Sequence, residues 1–295
     1  MKSIKGIILA GGYGSRLYPL TLGVSKQLLP VYDKPMIYYP LSTLMQAGII
    51  DILIISTKND ISKFEKLLGN GTNLGIKLSY AIQENPNGIA EALIIASDFI
   101  LHENICLILG DNIFHGDNFI HNLEKAKFNL SQGYSTIFGI DVENPNDFGV
   151  IELNSKNKIK KIIEKPKTDF GSLIVTGLYY FTNDAIKIAK NLKPSLRGEL
   201  EITDINNSFL NQDKLKLIRL NSEIVWTDTG TYNSLISASQ YFKDYEIKYS
   251  KKIACIEEIA YRRGYIDEFR LKEIAQSMIN SDYGKYLNNL AINED

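Results

Sequence analysis

Residues 7–17 read IILAGGYGSRL, a short apolar run that leads into a loop with three glycines. An apolar run of this length bounded by glycines is typical of a buried strand. Glycines let backbone N–H groups approach an anion closely, and Ser15 and Arg16 add a hydroxyl and a guanidinium at the end of the loop. The stretch therefore predicts a strand followed by a phosphate-binding loop; the alternative is a flexible turn with a solvated arginine.

The loop differs from the two common phosphate-binding motifs. A Walker A loop would end in Gly-Lys followed by Ser or Thr, and this loop does not. The dinucleotide fingerprint would need its third glycine where Leu17 stands. A second cation, Lys26, follows in the stretch SKQLLPV, residues 25–31, and favours the phosphate interpretation.

Composition limits the possible partners. The chain has 295 residues, with 33 Lys and Arg against 34 Asp and Glu and a formal net charge of −1. Because no block of like charge occurs, we expect no broad basic surface for nucleic acid or an anionic membrane. No stretch approaches the ~18 apolar residues of a membrane span, and the first residues lack the apolar run of a signal peptide, so we expect a cytoplasmic protein. The two cysteines and three histidines show no metal-ligand spacing.

Short apolar runs alternate with helical patterns through the first half of the chain. We expect strands at residues 5–9, 52–55, 77–81, 105–109 and 135–140. Helical patterns lie near residues 35–47, 62–67, 89–100 and 119–129. A break or kink is expected in the first of these helices, at Pro40. The alternation predicts an α/β fold with a mostly parallel sheet covered on both faces.

The pattern changes after Asp141. Strands are expected at 148–153, 159–164 and 173–181, joined by short polar turns and therefore antiparallel or mixed, and later at 215–220 and 224–227. Helical patterns occupy 184–191, 201–211 and 232–245, the last with Leu235, Ile236, Ser239 and Phe242 on one face. The final ~45 residues carry only helical patterns, which suit either a small appended bundle or an extension that faces another subunit.

Two aspartates each follow an apolar strand. Asp111 ends the run LILGD and Asp228 ends the run IVWTD. In open parallel sheets, ligands bind beyond the carboxyl ends of the strands. Two carboxylates combined with phosphate oxygens would suit Mg²⁺, which prefers hard oxygen ligands, whereas each aspartate by itself could simply cap a turn.

Two further sites have both a functional and a structural interpretation. Glu164 and Lys165 end another strand, where the lysine could hold a second phosphate and the glutamate a sugar hydroxyl, or the two could form a surface ion pair. Gln83 and Gly88 precede the helical pattern at 89–100. The glutamine could read a base edge through its paired donor and acceptor, or cap the helix.

Together these residues resemble the sugar-1-phosphate nucleotidyltransferases, in particular those that use dTTP and glucose 1-phosphate. The resemblance runs nearly end to end and is most specific in residues 7–17, 25–45, 109–112, 164–166, 197–204 and 226–230. It implies a Rossmann-like core with a mostly parallel mixed sheet and a sugar-binding subdomain in residues 1–250. It also implies a helical C-terminal region, residues 251–295, for assembly and regulation in a homotetramer. The implied reaction converts dTTP and α-D-glucose 1-phosphate into dTDP-glucose and pyrophosphate with Mg²⁺.

The resemblance also implies a role for individual residues. The residues implied to contact the nucleotide are Gly11, Gly12, Gly14, Ser15, Arg16, Lys26, Gln83 and Gly88. Of these, Gln83 and Gly88 would contact the base. The metal falls on Asp111 and Asp228, and the sugar phosphate on Gly149, Glu164, Lys165, Val175 and Tyr179. The catalytic set is Arg16, Lys26, Asp111, Lys165 and Asp228. An effector site for a nucleotide-sugar falls on Gly116, Glu258, Ile259 and Arg262.

Three positions depart from the family pattern, and two alternative functions stay open. Tyr13 stands where a small residue is usual, Ser15 where threonine is usual, and Phe148 where tyrosine is common. None of these changes removes a charge that the chemistry needs. The first alternative is the same reaction with UTP, CTP or another sugar phosphate. The second is a non-catalytic paralogue that senses a nucleotide-sugar, against which the presence of both aspartates, Arg16 and both lysines argues.

Overall fold

A nine-stranded mixed sheet carries the fold in a computed structural model that describes residues 3–168 and 170–292. The strands of the chain are β1 (Ile4–Ala10), β2 (Pro30–Val31), β3 (Lys34–Pro35), β4 (Asp51–Ser56), β5 (Lys77–Ile82), β6 (Asn104–Leu109), β7 (Asn112–His115), β8 (Ser135–Asp141), β9 (Gly149–Leu153), β10 (Ile159–Glu164), β11 (Leu173–Phe181), β12 (Leu215–Arg219) and β13 (Val225–Asp228). The helices are α1 (Tyr38–Gln46), α2 (Ile61–Leu68), α3 (Glu91–Ile95), α4 (Ser97–Ile100), α5 (Phe119–Ser131), α6 (Asp184–Lys190), α7 (Ile202–Asn211), α8 (Tyr232–Tyr249), α9 (Ile256–Arg262), α10 (Glu268–Ser277) and α11 (Asp282–Ile292).

The order and direction of the strands bring several predicted site residues together at the carboxyl ends of the parallel strands. Strands β5, β4, β1 and β6 lie side by side and are parallel. Strand β11 runs antiparallel between β6 and β8, and β9, β10 and β12 complete the mixed sheet. Because parallel strands end at the same edge, the residues that follow β1, β5 and β6 meet there. The α/β fold with a mixed, mostly parallel sheet is confirmed.

Both faces of the sheet are covered, as the continuous apolar runs predict. Along β1, Ile8 and Ala10 pack into one hydrophobic cluster with α1, while Ile7 and Leu9 pack into a second cluster with α3. This alternation follows from the two-residue period of a strand. A third cluster joins α8 to the loop after β1 through Leu17 and Phe242.

Three details of the predicted helices are wrong. The first helix begins at Tyr38, so Pro40 lies in its first turn, where the backbone N–H has no intrahelical acceptor, and the helix continues without a break. The pattern at 89–100 forms two short helices, α3 and α4. On α8, Leu235 and Phe242 are buried as expected, but Ile236 is exposed because it lies off the face that packs on the core.

The C-terminal helices share the main core. Ile256 of α9, Leu271 of α10 and Leu287 of α11 belong to the same buried cluster as the strand residues of β1 and β4. The hydroxyl of Tyr265 donates to the carbonyl of Met45 at 3.0 Å, which fixes this region to the end of α1. Within the described residues, no helix is long and apolar enough to cross a membrane.

Candidate active site

Two antiparallel strands bring Asp111 and Asp228 together across more than a hundred residues of sequence. Strands β7 and β13 pair so that Asp228 lies opposite Asn112, the residue that follows Asp111. The pairing continues into the loop, where the N–H and hydroxyl of Thr229 donate to the carbonyl of Asp111 at 3.2 and 3.0 Å. The two predicted metal-binding carboxylates are therefore neighbours.

The ammonium group of Lys26 lies between these carboxylates. Its Nζ atom is 2.6 Å from Oδ2 of Asp111 and 3.6 Å from Oδ1 of Asp228, and its side chain is only 7% exposed. A buried lysine needs such partners, because an unpaired buried charge is costly. The cation that follows the glycine loop is thus part of the acidic site.

Two half-buried carboxylates share one lysine, and their pKa values separate. Burial would raise the pKa of Asp111, but the charge and hydrogen bond of Lys26 outweigh burial and hold it below its ordinary value. Burial and the nearby Asp111 carboxylate raise the pKa of Asp228 to about 6, although Lys26 and Arg16 oppose the rise. Oδ1 of Asp228 is buried and accepts no hydrogen bond. Lys26 and Arg16 therefore do not fully offset the effects of burial and of Asp111 on Asp228.

These donors fit a divalent cation. Carboxylate oxygens are ligands that Mg²⁺ prefers, and the buried, unsatisfied Oδ1 of Asp228 is the kind of atom that a cation would satisfy. Within residues 3–168 and 170–292, no group of three or more His, Cys, Asp or Glu side chains is arranged so that it could hold a metal ion by itself. A cation at Asp111 and Asp228 would therefore take its other ligands from phosphate oxygens and water.

Arg16 reaches the same site from the glycine loop. Its guanidinium lies 3.8 Å from Asp228 and 3.9 Å from Asp147, and its side chain is 55% exposed. A Cβ atom on Gly230 would come within 2.6 Å of Nη2 of Arg16, so a side chain there would displace the guanidinium. Exposed ion pairs at this distance contribute little stability, which leaves the guanidinium available to an anion.

A cavity of about 230 Å³ opens beside the glycine loop. Its walls include Leu9, Leu109 and Ile89, and Gln83 lies at its margin. Gly88 has φ +108°, and a Cβ atom there would lie 2.4 Å from the carbonyl of Leu200, so no other residue fits. Gln27, Asp111 and Glu199 also line the cavity, and a slot with both apolar walls and polar groups suits a flat heterocycle.

The structure places the other predicted nucleotide-binding residues around this cavity and Lys26. Gly11 and Gly12 line the cavity, and Gly12 has φ +90° with open space at its Cβ position. The carbonyl of Gly14 accepts from Thr21 at 2.8 Å, and Ser15 is exposed at the start of the following turn. Tyr13, the departure from the family pattern, is 63% exposed and lines a second small cavity next to the first.

The predicted sugar-phosphate residues differ in burial and in their contacts. Glu164 accepts from the hydroxyl of Thr203 at 2.5 Å, and Gly149 lies so close that a Cβ atom would be 3.1 Å from that hydroxyl and 3.5 Å from Glu164. Burial raises the pKa of Glu164, an effect that the Thr203 hydrogen bond opposes and that Glu201 increases. Val175 and Tyr179 are buried on β11. Lys165 is exposed, with a left-handed φ of +40° that is uncommon for a residue other than glycine.

The structure also reveals site residues that the sequence reasoning did not assign. Arg197 lies 3.8 Å from Glu164 and 2.6 Å from Glu199, which puts a cation beside the Glu164 carboxylate. The amide of Asn112 donates to Asp111 at 3.1 Å and accepts from Trp226 at 2.7 Å. These residues lie inside the stretches 109–112, 197–204 and 226–230, whose specificity could have indicated them; Asp147, beside Arg16, had no such signal.

The predicted effector residues lie on two segments of the chain, α9 and the turn after β7. Glu258 and Arg262 form an ion pair at 2.8 Å on α9, and Glu258 also accepts from the hydroxyl of Tyr286 at 2.7 Å. Ile259 packs against the main core. Gly116 lies in the turn after β7 against the carbonyl of Glu223. A larger cavity of about 990 Å³ lies elsewhere, at the amino ends of β1, β4 and β6, and contains none of the predicted site residues.

Comparison with known proteins assigns the family. The nucleotidyl transferase family model matches residues 5–244. A Neisseria meningitidis glucose-1-phosphate thymidylyltransferase is 49% identical over 284 residues, which are 96% of this chain and 98% of that protein. A Mycobacterium tuberculosis protein of the same name is 46% identical over the same shares of the two chains.

Solved structures agree. A crystal structure of a Bacillus anthracis protein in complex with a sucrose, provisionally named a glucose-1-phosphate thymidylyltransferase, has a TM-score of 0.76 and 41% identity. It covers 82% of this chain and 96% of its own. A UDP-glucose pyrophosphorylase complexed with UDP-glucose, at 24% identity and a TM-score of 0.73, covers 82% of this chain and 98% of its own and shares the fold.

The family match defines an enzyme class, the nucleotidyltransferases. The full-length relatives narrow it further. The chain belongs to the nucleotidyl transferase family and, within it, to the glucose-1-phosphate thymidylyltransferases. The resemblance predicted from the sequence is thereby confirmed at the level of family and fold.

Proposed function

We propose that the protein transfers the thymidylyl group of dTTP to α-D-glucose 1-phosphate, giving dTDP-glucose and pyrophosphate. A phosphate oxygen of the sugar phosphate forms a bond to the α-phosphorus, and the bond from that phosphorus to the bridging oxygen of pyrophosphate breaks. The single observation that carries the proposal is the placement of the buried Lys26 between two half-buried carboxylates beside a glycine loop. The names of the full-length relatives support the choice of substrates.

The proposed reaction requires charge neutralisation more than proton transfer. The second pKa of a phosphate monoester is ~6, so the nucleophile is largely dianionic at neutral pH and needs no general base. The main obstacle is repulsion between two polyanions, which positioned cations and backbone N–H groups reduce. Arg16 and Lys26 serve the triphosphate, and Lys165 with Arg197 serves the sugar phosphate, across the site marked by Asp111 and Asp228.

Magnesium fits this arrangement. Asp111 and Asp228 would hold the ion, which when bound would neutralise phosphate charge and draw the phosphate oxygens into place. Asp111 also fixes Lys26 through the 2.6 Å ion pair. Assembly as a homotetramer and feedback by a nucleotide-sugar remain predictions from the resemblance.

Pyrophosphate release tests the proposed function directly. The purified protein is incubated with dTTP, glucose 1-phosphate and Mg²⁺, and pyrophosphate and dTDP-glucose are measured in equal amounts. Parallel reactions use UTP and CTP, galactose 1-phosphate and excess chelator. If no pair of substrates turns over, the proposal is overturned and a sensing paralogue is favoured. Faster turnover with UTP than with dTTP would mean that UTP is the nucleotide substrate.

Lys165→Ala is expected to weaken use of glucose 1-phosphate and not binding of dTTP. Lys165 follows Glu164, and its charge acts on the Glu164 carboxylate together with that of Arg197. Its left-handed backbone also costs free energy, which a site can retain when the side-chain position matters. We expect the KM for glucose 1-phosphate to rise about tenfold or more, the equivalent of one charged hydrogen bond.

Lys167→Ala is the matched control, because Lys167 is an exposed lysine two residues away. It should leave both KM values unchanged. Calorimetry of dTTP binding completes the experiment. A large loss of dTTP affinity in Lys165→Ala would mean that the lysine serves the nucleotide, contrary to its assignment.

Arg16→Ala is expected to lower kcat, with a rise of about 2–4 kcal/mol in the activation free energy and little change in KM. Negative charge grows on the leaving pyrophosphate as its bond to the α-phosphorus lengthens, and a guanidinium near it stabilises that charge most in the transition state. Arg16→Lys retains the charge without the planar fork and should recover only part of the rate. Steady-state kinetics of both variants provide the measurement; a rise confined to the KM for dTTP would make Arg16 a binding residue.

A further inference from the structure

The side-chain amide of Gln83 is held in one orientation by two acceptors. Its Nε2 atom donates to Oε2 of Glu91 at 2.8 Å and to the carbonyl of Gly88 at 3.3 Å. Glu91 is itself fixed by Asn87, whose Nδ2 atom donates to Oε1 at 2.8 Å. A carboxylate and a carbonyl can only accept, so the NH₂ end of the Gln83 amide must face them.

The opposite end of that amide faces the cavity beside the glycine loop. Oε1 of Gln83 lies 2.7 Å from the position that a Cβ atom on Gly11 would occupy, and both residues line the cavity. Within residues 3–168 and 170–292, no hydrogen bond ends on this oxygen. Gln83 is 5% exposed, so its amide is buried and its carbonyl oxygen is presented as an acceptor to whatever fills the cavity.

Pyrimidines differ in what they offer to such an acceptor. Thymine and uracil carry an N–H at ring position 3, whereas cytosine carries a lone pair there. A carbonyl oxygen therefore gains a hydrogen bond from thymine or uracil and meets another acceptor in cytosine. A site built to accept from an N–H rejects the analogue that lacks it, because a buried polar group is then left unpaired.

We propose that Glu91 is a positioning residue that fixes the Gln83 carbonyl toward the base and thereby selects pyrimidines with an N3–H over cytosine. The proposal rests on the proposed function, because it assumes that the nucleotide base occupies this cavity. Glu91 matters more than Gly88, because its hydrogen bond is 0.5 Å shorter (2.8 against 3.3 Å) and ends on a charged oxygen. Without the carboxylate, the Gln83 amide can turn its NH₂ end toward the cavity and accept cytosine.

Replacement of Glu91 tests this assignment through nucleotide selectivity. For wild type, Glu91→Ala and Glu91→Gln, kcat/KM is measured with dTTP and with dCTP at fixed glucose 1-phosphate. We expect the dTTP-to-dCTP ratio to fall about tenfold in Glu91→Ala, the scale of one hydrogen bond. Glu91→Gln can offer either end of its own amide, so its ratio should lie between those of wild type and Glu91→Ala.

A matched control separates positioning from folding. Asp98→Ala also removes an acid from the first turn of a helix, at an exposed place on α4, and should leave the ratio unchanged. If Glu91→Ala lowers kcat/KM equally for both nucleotides, the residue has only a structural role and the inference is wrong. Glu91→Gln keeps the size of the side chain and serves where Glu91→Ala does not fold.

Calorimetry keeps this inference distinct from the proposed function. The affinities of wild type and the variants for dTTP and dCTP are measured without glucose 1-phosphate, so no turnover is needed. An inactive wild type that binds dTTP better than dCTP, with the preference lost in Glu91→Ala, would overturn the reaction and support the inference. An active wild type whose preference for dTTP survives in both variants would support the proposed reaction and overturn the inference about Glu91.

Discussion

Asp111→Asn and Asp228→Asn are each expected to lower kcat by about a hundred- to a thousandfold, the scale of one lost preorganised charge at a reacting centre. Either change removes a carboxylate from the pair that would hold the divalent cation. Asp111→Asn also removes the 2.6 Å ion pair that positions Lys26. Steady-state rates across a range of Mg²⁺ concentrations provide the measurement, because a weakened metal site needs more Mg²⁺.

The loss of activity in Asp228→Asn should not be accompanied by a loss of thermal stability. Asp228→Asn removes one of two like charges in a buried site where Oδ1 has no hydrogen bond, so we expect no fall in Tm. Asp184→Asn, on the exposed start of α6, is the control for the loss of an acid. A kcat close to that of wild type in either site variant at modest Mg²⁺ would refute a shared metal.

Glu246→Ala is expected to lower the free energy of unfolding by about 3–5 kcal/mol, the usual result of removing one partner from a buried ion pair. Glu246 accepts from Lys34 at 3.0 Å, from Lys252 at 3.1 Å and from the N–H of Ile253 at 2.9 Å. The side chain of Lys34 is 1% exposed, so it cannot regain water when the glutamate is lost. Asp33, which also pairs with Lys34 and Lys252, would be the remaining partner.

Urea unfolding followed by circular dichroism measures this effect. Asp244→Ala, two residues away on the exposed face of α8, should change stability by less than about 0.5 kcal/mol. Equal values for the two variants would show that the buried network contributes no more than a surface charge. Because Glu246 joins α8 to the segment that leads into α9, loss of the C-terminal helices before the sheet would locate the weakened contact.

The sheet and its strand ends were open to prediction because their signals are local. Apolar runs of five to seven residues indicate buried strands wherever they occur, and a glycine loop or an aspartate at the end of such a run lies at a known edge of a parallel sheet. The strands predicted at 5–9, 105–109 and 135–140 are therefore found within one or two residues. Pro40 was misjudged because the start of α1, unlike its apolar period, had no sequence signal.

Local sequence patterns were enough to predict the alternation of strands and helices and the end of the sheet at which Gly11, Lys26 and Asp111 would meet. The position of Lys26 between Asp111 and Asp228 could not be predicted in this way, because it depends on β7 pairing with a strand more than a hundred residues later. The same holds for Arg197 beside Glu164. Side-chain distances of 3–4 Å depend on how separate segments pack, and packing is a property of the whole chain that no local pattern encodes.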